Sequence, residues 1–145
     1  MRRMSPDAPA PSPLAAALAR VGDRWTMLLV EALLDGPRRF GDLTTAVPGI
    51  APNILARRLR HLEHERLVLA RRYSERPPRH EYELTAAGRD LAGSIRLLAA
   101  WGAEHVADTA PPHHDACGSE LEVRWWCPLC EVPVPAGDDP DVQVV

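Results

Sequence analysis

Apolar positions along this 145-residue chain recur mostly at three- and four-residue intervals, the spacing of one face of an α-helix. Leu14 to Val21 is rich in Ala and Leu and predicts a first helix, broken by Gly22-Asp23. Asp23 is placed to cap the next helix, Arg24 to Leu34, where Trp25, Leu28, Leu29 and Ala32 share a face that reads as core. Asp35-Gly36-Pro37 stops it. Phe40 to Val47 predicts a short helix with Phe40, Leu43 and Val47 inward, and Pro48-Gly49 a turn. Another helix starts after Ile50, with Pro52 near its first position, where the missing N–H costs nothing, and runs to about Glu65. Leu55, Leu59 and Leu62 mark its buried stripe.

The period then changes. Leu67 to Tyr73 and His80 to Leu84 alternate and predict a β-hairpin, with Tyr82 and Leu84 on one face and Ser74 to Arg79 as a long, proline-stiffened tip. Thr85 caps a long helix from Ala86 to about Ala107, with Leu91, Ile95 and Leu98 on one stripe and Leu97 and Trp101 on another. So apolar a helix at the end of a small domain calls for a second surface, most simply another copy of the chain. Val123 to Trp126 predicts a strand whose Trp pair forms the core of a small appended element. The expected fold is mainly α with a small β-hairpin wing. Residues 1–13 and 133–145 have little to bury and are expected to be disordered; 14–107 form the main domain and 108–132 a Cys/His element.

A net charge of -3 speaks against a nucleic-acid partner, but its distribution reverses that reading. Pro37 to His80 carries ten Arg against four acidic residues, whereas Ala103 to Val145 carries nine acidic residues against Arg124 alone. All seventeen basic residues are Arg, so clustering is better evidence than enrichment. No apolar run approaches the roughly 20 residues that span a bilayer, and the basic N-terminus leads into Pro/Ala-rich sequence, not a secretory signal. A cytoplasmic protein with no membrane partner is expected. His61, His64 and His80 lie among arginines on exposed faces, and no nucleophile–base arrangement or phosphate loop is evident, so the chain does not read as an enzyme.

Two helices joined by so tight a turn predict a helix-turn-helix. On the second, Asn53, Arg57, Arg60 and His64 lie opposite the leucine stripe, with Ala56 and Arg58 flanking. Such a helix can enter a major groove about 12 Å wide, where Arg pairs with guanine, Asn with adenine, and Ala meets a thymine methyl. Asn53, Ala56, Arg57 and Arg60 are therefore the candidate base readers. Arg38, Arg39, Arg58, Arg71, Arg72, Arg76 and Arg79 are the candidate phosphate or wing contacts. A solvated amphipathic helix or hairpin has the same composition; their order in the chain favours the DNA reading.

The three cysteines all follow residue 116. His114-Asp115-Ala116-Cys117 and Cys127-Pro128-Leu129-Cys130 form two knuckles about ten residues apart, and His114, Cys117, Cys127 and Cys130 meet the tetrahedral demand of zinc, with His113 as an alternative imidazole. Four protein ligands leave no open position, so a structural zinc is expected, with a labile sensor site as a second reading. The competing reading is a free Cys-Pro-Leu-Cys thiol pair with an incidental Cys117.

Taken together, Gly22-Asp23-Arg24-Trp25-Thr26, Gly36-Pro37-Arg38-Arg39-Phe40-Gly41-Asp42-Leu43, Pro48-Gly49-Ile50, Leu55-Ala56-Arg57-Arg58-Leu59-Arg60, Pro77-Pro78-Arg79-His80-Glu81-Tyr82-Glu83-Leu84-Thr85, Gly88 and Trp101-Gly102 resemble the HxlR-type branch of the MarR-like winged-helix regulators, over roughly Leu14 to His105. The resemblance implies a homodimer on promoter DNA, most often a repressor, with a recognition helix from Ala51 and a wing at Arg76 to Arg79. It implies dimer contacts from the first helix (Leu14, Leu18) and the long helix after Thr85 (Leu91, Ile95, Leu98, Trp101), and leaves room for a small-molecule effector. Many family members carry a redox-sensing Cys before the first helix. Here that place reads Pro11-Ser12-Pro13-Leu14, and a serine forms no thiolate. The Cys-rich end is similar to a zinc ribbon on actinobacterial members. Two other functions stay open: a zinc- or thiol-responsive switch, and a protein-interaction module on the same scaffold.

Overall fold

A computed structural model describes residues 10–106 and 109–134. Its elements, in order, are α1 (Pro13–Val21), α2 (Arg24–Leu34), β1 (Arg38–Arg39), α3 (Phe40–Ala46), α4 (Pro52–His64), β2 (Val68–Glu75), β3 (Pro78–Leu84), α5 (Ala86–Arg89), α6 (Ala92–His105), β4 (Trp125–Cys127) and β5 (Val132–Val134). The fold is mainly helical with a small antiparallel sheet, as expected. The chain divides into two compact units at Asp90/Leu91, so α6 groups with the Cys/His segment and not with the helices before it. The expected tails at 1–13 and 133–145 lie largely outside the described residues; Pro13 opens α1, and Pro133 and Val134 belong to β5. No helix among the described residues is long and apolar enough to cross a membrane.

The first unit is built around the carboxylate of Asp23. It accepts from the amides of Trp25 and Thr26 at 3.1 Å each, capping α2, and from the Thr26 hydroxyl. With its hydroxyl satisfied, Thr26 is fully buried, and the core face of α2 is Thr26, Leu29, Val30 and Leu33. That corrects the expected face by one residue: Leu28 is exposed and Trp25 only half-buried. Leu43, Val47, Ile50, Leu55, Leu59, Leu62, Val68 and Leu84 complete the core. Burial works against the charge on Asp23, yet the Thr26 hydroxyl and amide, the charge of Arg58 and the Trp25 amide together hold its pKa below the usual carboxylate range.

Three strands form one sheet in the order β1-β3-β2, all antiparallel. The sequence offers no signal for β1, two residues that pair Arg38 with Tyr82 and Arg39 with Glu81. The hairpin tip is tighter than expected. Pairing continues to Glu75 and Pro78, leaving only Arg76 and Pro77 at the turn. The long helix after Thr85 is two helices, parted at Asp90, whose amide still donates to the Ala86 carbonyl, and Leu91, whose carbonyl accepts from Ile95; both keep right-handed helical backbone. Gly88, Asp90 and Gly93 are poor helix formers clustered at that point. Gly88 has its own reason to be there: a Cβ would sit 2.2 Å from the Leu67 carbonyl oxygen. Thr85 caps α5 through the Gly88 amide as expected, and its hydroxyl donates to the Arg66 carbonyl.

Two stability measurements follow. Arg66 ends α4 in the left-handed region at φ 59°, so Arg66→Gly should raise stability by about 0.5–1 kcal/mol in urea unfolding. Because the Asp23 pKa is lowered in the folded state, its contribution is present above the unfolded carboxylate value near 4 and is lost as pH falls through the folded value. Asp23→Asn should therefore lower stability at pH 7 and flatten its further loss between about pH 4 and pH 2.

Candidate nucleic-acid interface

α3, the turn at Pro48-Gly49 and α4 form the helix-turn-helix. Gly49 takes φ 84°, a conformation the turn needs and glycine adopts without strain. Pro52 sits in the first turn of α4 and Leu55, Leu59 and Leu62 are buried, as the pattern predicts. Asn53, Arg57 and Arg60 consequently face solvent, with Ala56 half-buried at the edge. Among the described residues no ion pair engages Arg57 or Arg60. The proposed base readers are thus one open, uncommitted face on a well-packed helix.

The seven candidate phosphate arginines divide into two groups. Arg58 turns inward: its Nε lies 3.2 Å from Asp23 Oδ1, a charge contact without the alignment of a hydrogen bond, and that nitrogen is buried. Arg38 donates from Nε to the Ala32 carbonyl at 2.6 Å and pairs with Asp35 at 3.3 Å. Arg71 pairs with Glu83 at 2.7 Å along the sheet. Arg38 and Arg58 are therefore structural residues, and the charge of Arg71 is offset. Arg39, Arg72, Arg76 and Arg79 are exposed and, among the described residues, form no ion pair. Helical periodicity sets Arg58 on the flank of α4 but could not show that it is held from within the fold, because the partner that claims it is 35 positions earlier in the chain.

Tyr73 joins this surface unannounced by the sequence. The register of β2 against β3 shifts between Arg72 and Ser74, so Tyr73 stands at a β-bulge, outside the strict alternation. The Arg39 guanidinium lies over its ring, 4.5 Å from the centroid. Arg39, Phe40, Tyr73, Arg79, His80 and Tyr82 line an open notch of about 420 Å³ between α3 and the wing.

In the second unit, each predicted knuckle closes as a tight turn. Gly118 N–H donates to the His114 carbonyl at 2.7 Å, and Glu131 N–H to the Cys127 carbonyl at 2.9 Å. The residue after the last cysteine of each is left-handed: Gly118 at φ 71° and Glu131 at φ 55°. The hydroxyl and amide of Ser119 lower the Cys117 pKa; the amides of Cys130 and Leu129 lower that of Cys127, whose hydrogen bond and charge raise that of Cys130. His114 Nδ1 lies 3.3 Å from Cys117 Sγ, and β4 pairs with β5 around the other knuckle. His113, the alternative imidazole, pairs backbone with Glu120. The ligand set is present as two pairs, however: among the described residues no three His, Cys, Asp or Glu side chains stand close enough to hold an ion. Trp125 and Trp126 are exposed, so they do not form the expected ribbon core; a three-residue hairpin has no second layer to cover them.

Comparison with known proteins agrees with this geometry. Residues 20–110 match the model of the HxlR-like helix-turn-helix family. The chain is 42% identical over 118 residues to an HTH-type transcriptional regulator of Mycobacterium tuberculosis, Rv3095, covering 79% of this chain and 74% of that protein. Among solved structures it is similar to the reduced form of the transcriptional regulator YodB from B. subtilis, with 30% identity, a TM-score of 0.58, and coverage of 70% of this chain and 99% of that one. It is also similar to the oxidized form of the redox regulator HypR, with 30% identity, a TM-score of 0.61, and coverage of 66% and 98%.

The division among arginines is measurable on any bound duplex. Arg79→Ala should reduce the slope of log affinity against log salt by about 0.9, one phosphate's worth of released counterion. Arg58→Ala should leave that slope unchanged and instead lower stability by about 1 kcal/mol in thermal or urea unfolding.

Proposed function

The chain belongs to the HxlR-like helix-turn-helix family and is a DNA-binding transcriptional regulator, not an enzyme; from that premise we propose that it acts as a homodimeric, cytoplasmic reader of a paired operator. The open Asn53/Arg57/Arg60 face of α4 carries this reading, because its residue types match base edges and, among the described residues, no ion pair engages its arginines. α4 lies in the major groove, with Ala56 against a thymine methyl. Arg72, Arg76 and Arg79 hold the flanking backbone or minor groove, and Arg39 anchors a phosphate beside α3. Exposed Leu14 and Leu18 on α1, and Leu98 and Trp101 on α6, supply apolar surface for a second copy; Ile95 is already buried and Leu91 half-buried within the chain, so they contribute less. Blocking transcription by occupying the promoter is the simplest consequence of such binding.

Zinc at the Cys/His segment is a second, separable reading. His114, Cys117, Cys127 and Cys130 would hold the ion, which would supply a structural tie between the two hairpins. What supports it is the repeated stereochemistry: two unrelated sequences, His-Asp-Ala-Cys and Cys-Pro-Leu-Cys, each close a turn with a left-handed residue after the final cysteine. The YodB and HypR structures are of a reduced and an oxidized form, respectively. In this chain Ser12 caps α1 by accepting from the Ala15 amide, so thiol control would have to act through the three C-terminal cysteines. A small-molecule effector is equally compatible with the scaffold.

Selection of bound sequences from a random duplex pool, with and without a zinc chelator, tests both readings. It should yield an inverted repeat. Arg57→Ala should then cost about 1–3 kcal/mol on the selected site and relax one base position. An equal loss on random duplex would remove Arg57 from base reading. One zinc per chain by elemental analysis, lost in Cys127→Ser, is expected; an unchanged operator affinity on chelation would leave zinc structural and end the sensor reading.

A further inference from the structure

The recognition helix has a third face. Besides the buried leucines and the open readers, Arg58, His61 and Glu65 follow one another at helical spacing and all turn to the corner between α1 and α2. Arg58 meets Asp23. His61 Nε2 lies 2.7 Å from the Arg20 carbonyl oxygen; since a carbonyl only accepts, this nitrogen carries the hydrogen. Glu65 Oε2 lies 3.6 Å from Arg20 Nη1, with Glu65 only 18% exposed.

α1 has little else to hold it. Val21 is its single buried residue. Its hydrogen bonds and ion pairs beyond its own residues and caps run, among the described residues, to His61 and Glu65 alone. Its other apolar side chains, Leu14 and Leu18, are 60% and 55% exposed. The helix that offers surface to a second copy is therefore fastened, at its far end, directly to the helix that reads DNA.

We propose that Arg20, His61 and Glu65 are positioning residues that fix α4 relative to α1 and thereby set the half-site spacing the dimer accepts. The inference rests on the homodimer reading above. Two rigidly linked readers fit sites about 34–36 Å apart, and one inserted base pair both lengthens that span and rotates one half-site around the duplex. With the strap cut, α1 is joined to the domain by Val21 and the Gly22-Asp23 link, and the two readers can follow a changed spacing.

The experiment compares affinity on duplexes carrying the selected half-sites at the selected spacing, one base pair shorter and one longer, and on a single half-site. Wild type should lose about tenfold in affinity for each base pair of change. His61→Leu and, independently, Glu65→Gln should narrow this to about threefold or less while single-half-site affinity stays within about twofold of wild type. His61→Gln, whose side-chain amide can still donate to the Arg20 carbonyl, should restore the wild-type profile. Retention of the full spacing penalty in His61→Leu or Glu65→Gln would overturn the proposal. An equal loss at every spacing and on the single half-site would also overturn it, showing a general packing role. A wild type that sediments as a monomer on a single half-site would instead refute the homodimer reading, and this inference with it. Should His61→Leu fail to fold, Glu65→Gln alone decides.

Discussion

One carboxylate holds the DNA-reading unit together. Asp23 caps α2, satisfies the Thr26 hydroxyl so that a threonine can lie in the core, and meets Arg58 on the recognition helix. Each role alone would be modest, since a cap or a part-exposed ion pair contributes about 1 kcal/mol. Their coincidence at one side chain makes them interdependent. Without the carboxylate, the start of α2 frays, a buried hydroxyl loses its acceptor, and Arg58 keeps a buried nitrogen with no charge to face. The orientation of α4 depends on that corner, and the open face of α4 depends on its orientation.

The same logic explains how an acidic protein presents a basic surface. At physiological salt the field of an exposed charge fades over about 8 Å, so a DNA backbone responds to local arrangement and not to the chain total. Within the Arg-rich stretch, Arg38 and Arg58 are held by α2 and its cap, and Arg71 is matched by Glu83. Those that remain, Arg57 and Arg60 on α4, Arg66 just after it, and Arg39, Arg72, Arg76 and Arg79 around the wing, are all on exposed positions. The fold thus uses arginine for two purposes, as internal tie and as exposed charge, and only the exposed charges are available to a phosphate backbone.

The leucine stripe, Pro48-Gly49 and Pro52 made the helix-turn-helix legible, because local geometry alone dictates them. Thr85 was legible for the same reason. What escaped depended on partners distant in the chain. Thr26 reads as polar until Asp23 is known to satisfy it, and so the core face of α2 was placed one residue early. β1 exists only because β3 runs beside it. Periodicity puts Arg58 on the flank of α4, but only where α4 lies against the α1–α2 corner shows that Asp23 claims it. The two knuckles were legible as turns because each closes within four residues; whether their side chains converge is a property of how two hairpins meet, which ligand spacing does not encode.

Tyr73 shows how a local irregularity can serve the interface. In a regular β2 its side chain would obey the alternation that places Val68 in the core and sends Leu69 to solvent. The bulge breaks that alternation next to the wing, and the ring lies instead under the Arg39 guanidinium at the start of α3. An exposed arginine has many rotamers to lose when it binds a phosphate, at about 1.5–2 kcal/mol for a long side chain. A guanidinium already resting on an aromatic face has lost part of that freedom during folding, so less remains to be lost on DNA. The stack also links the start of α3, in the helix-turn-helix, to β2 of the wing. The bulge therefore makes an arginine from one element and a strand from another behave as one surface.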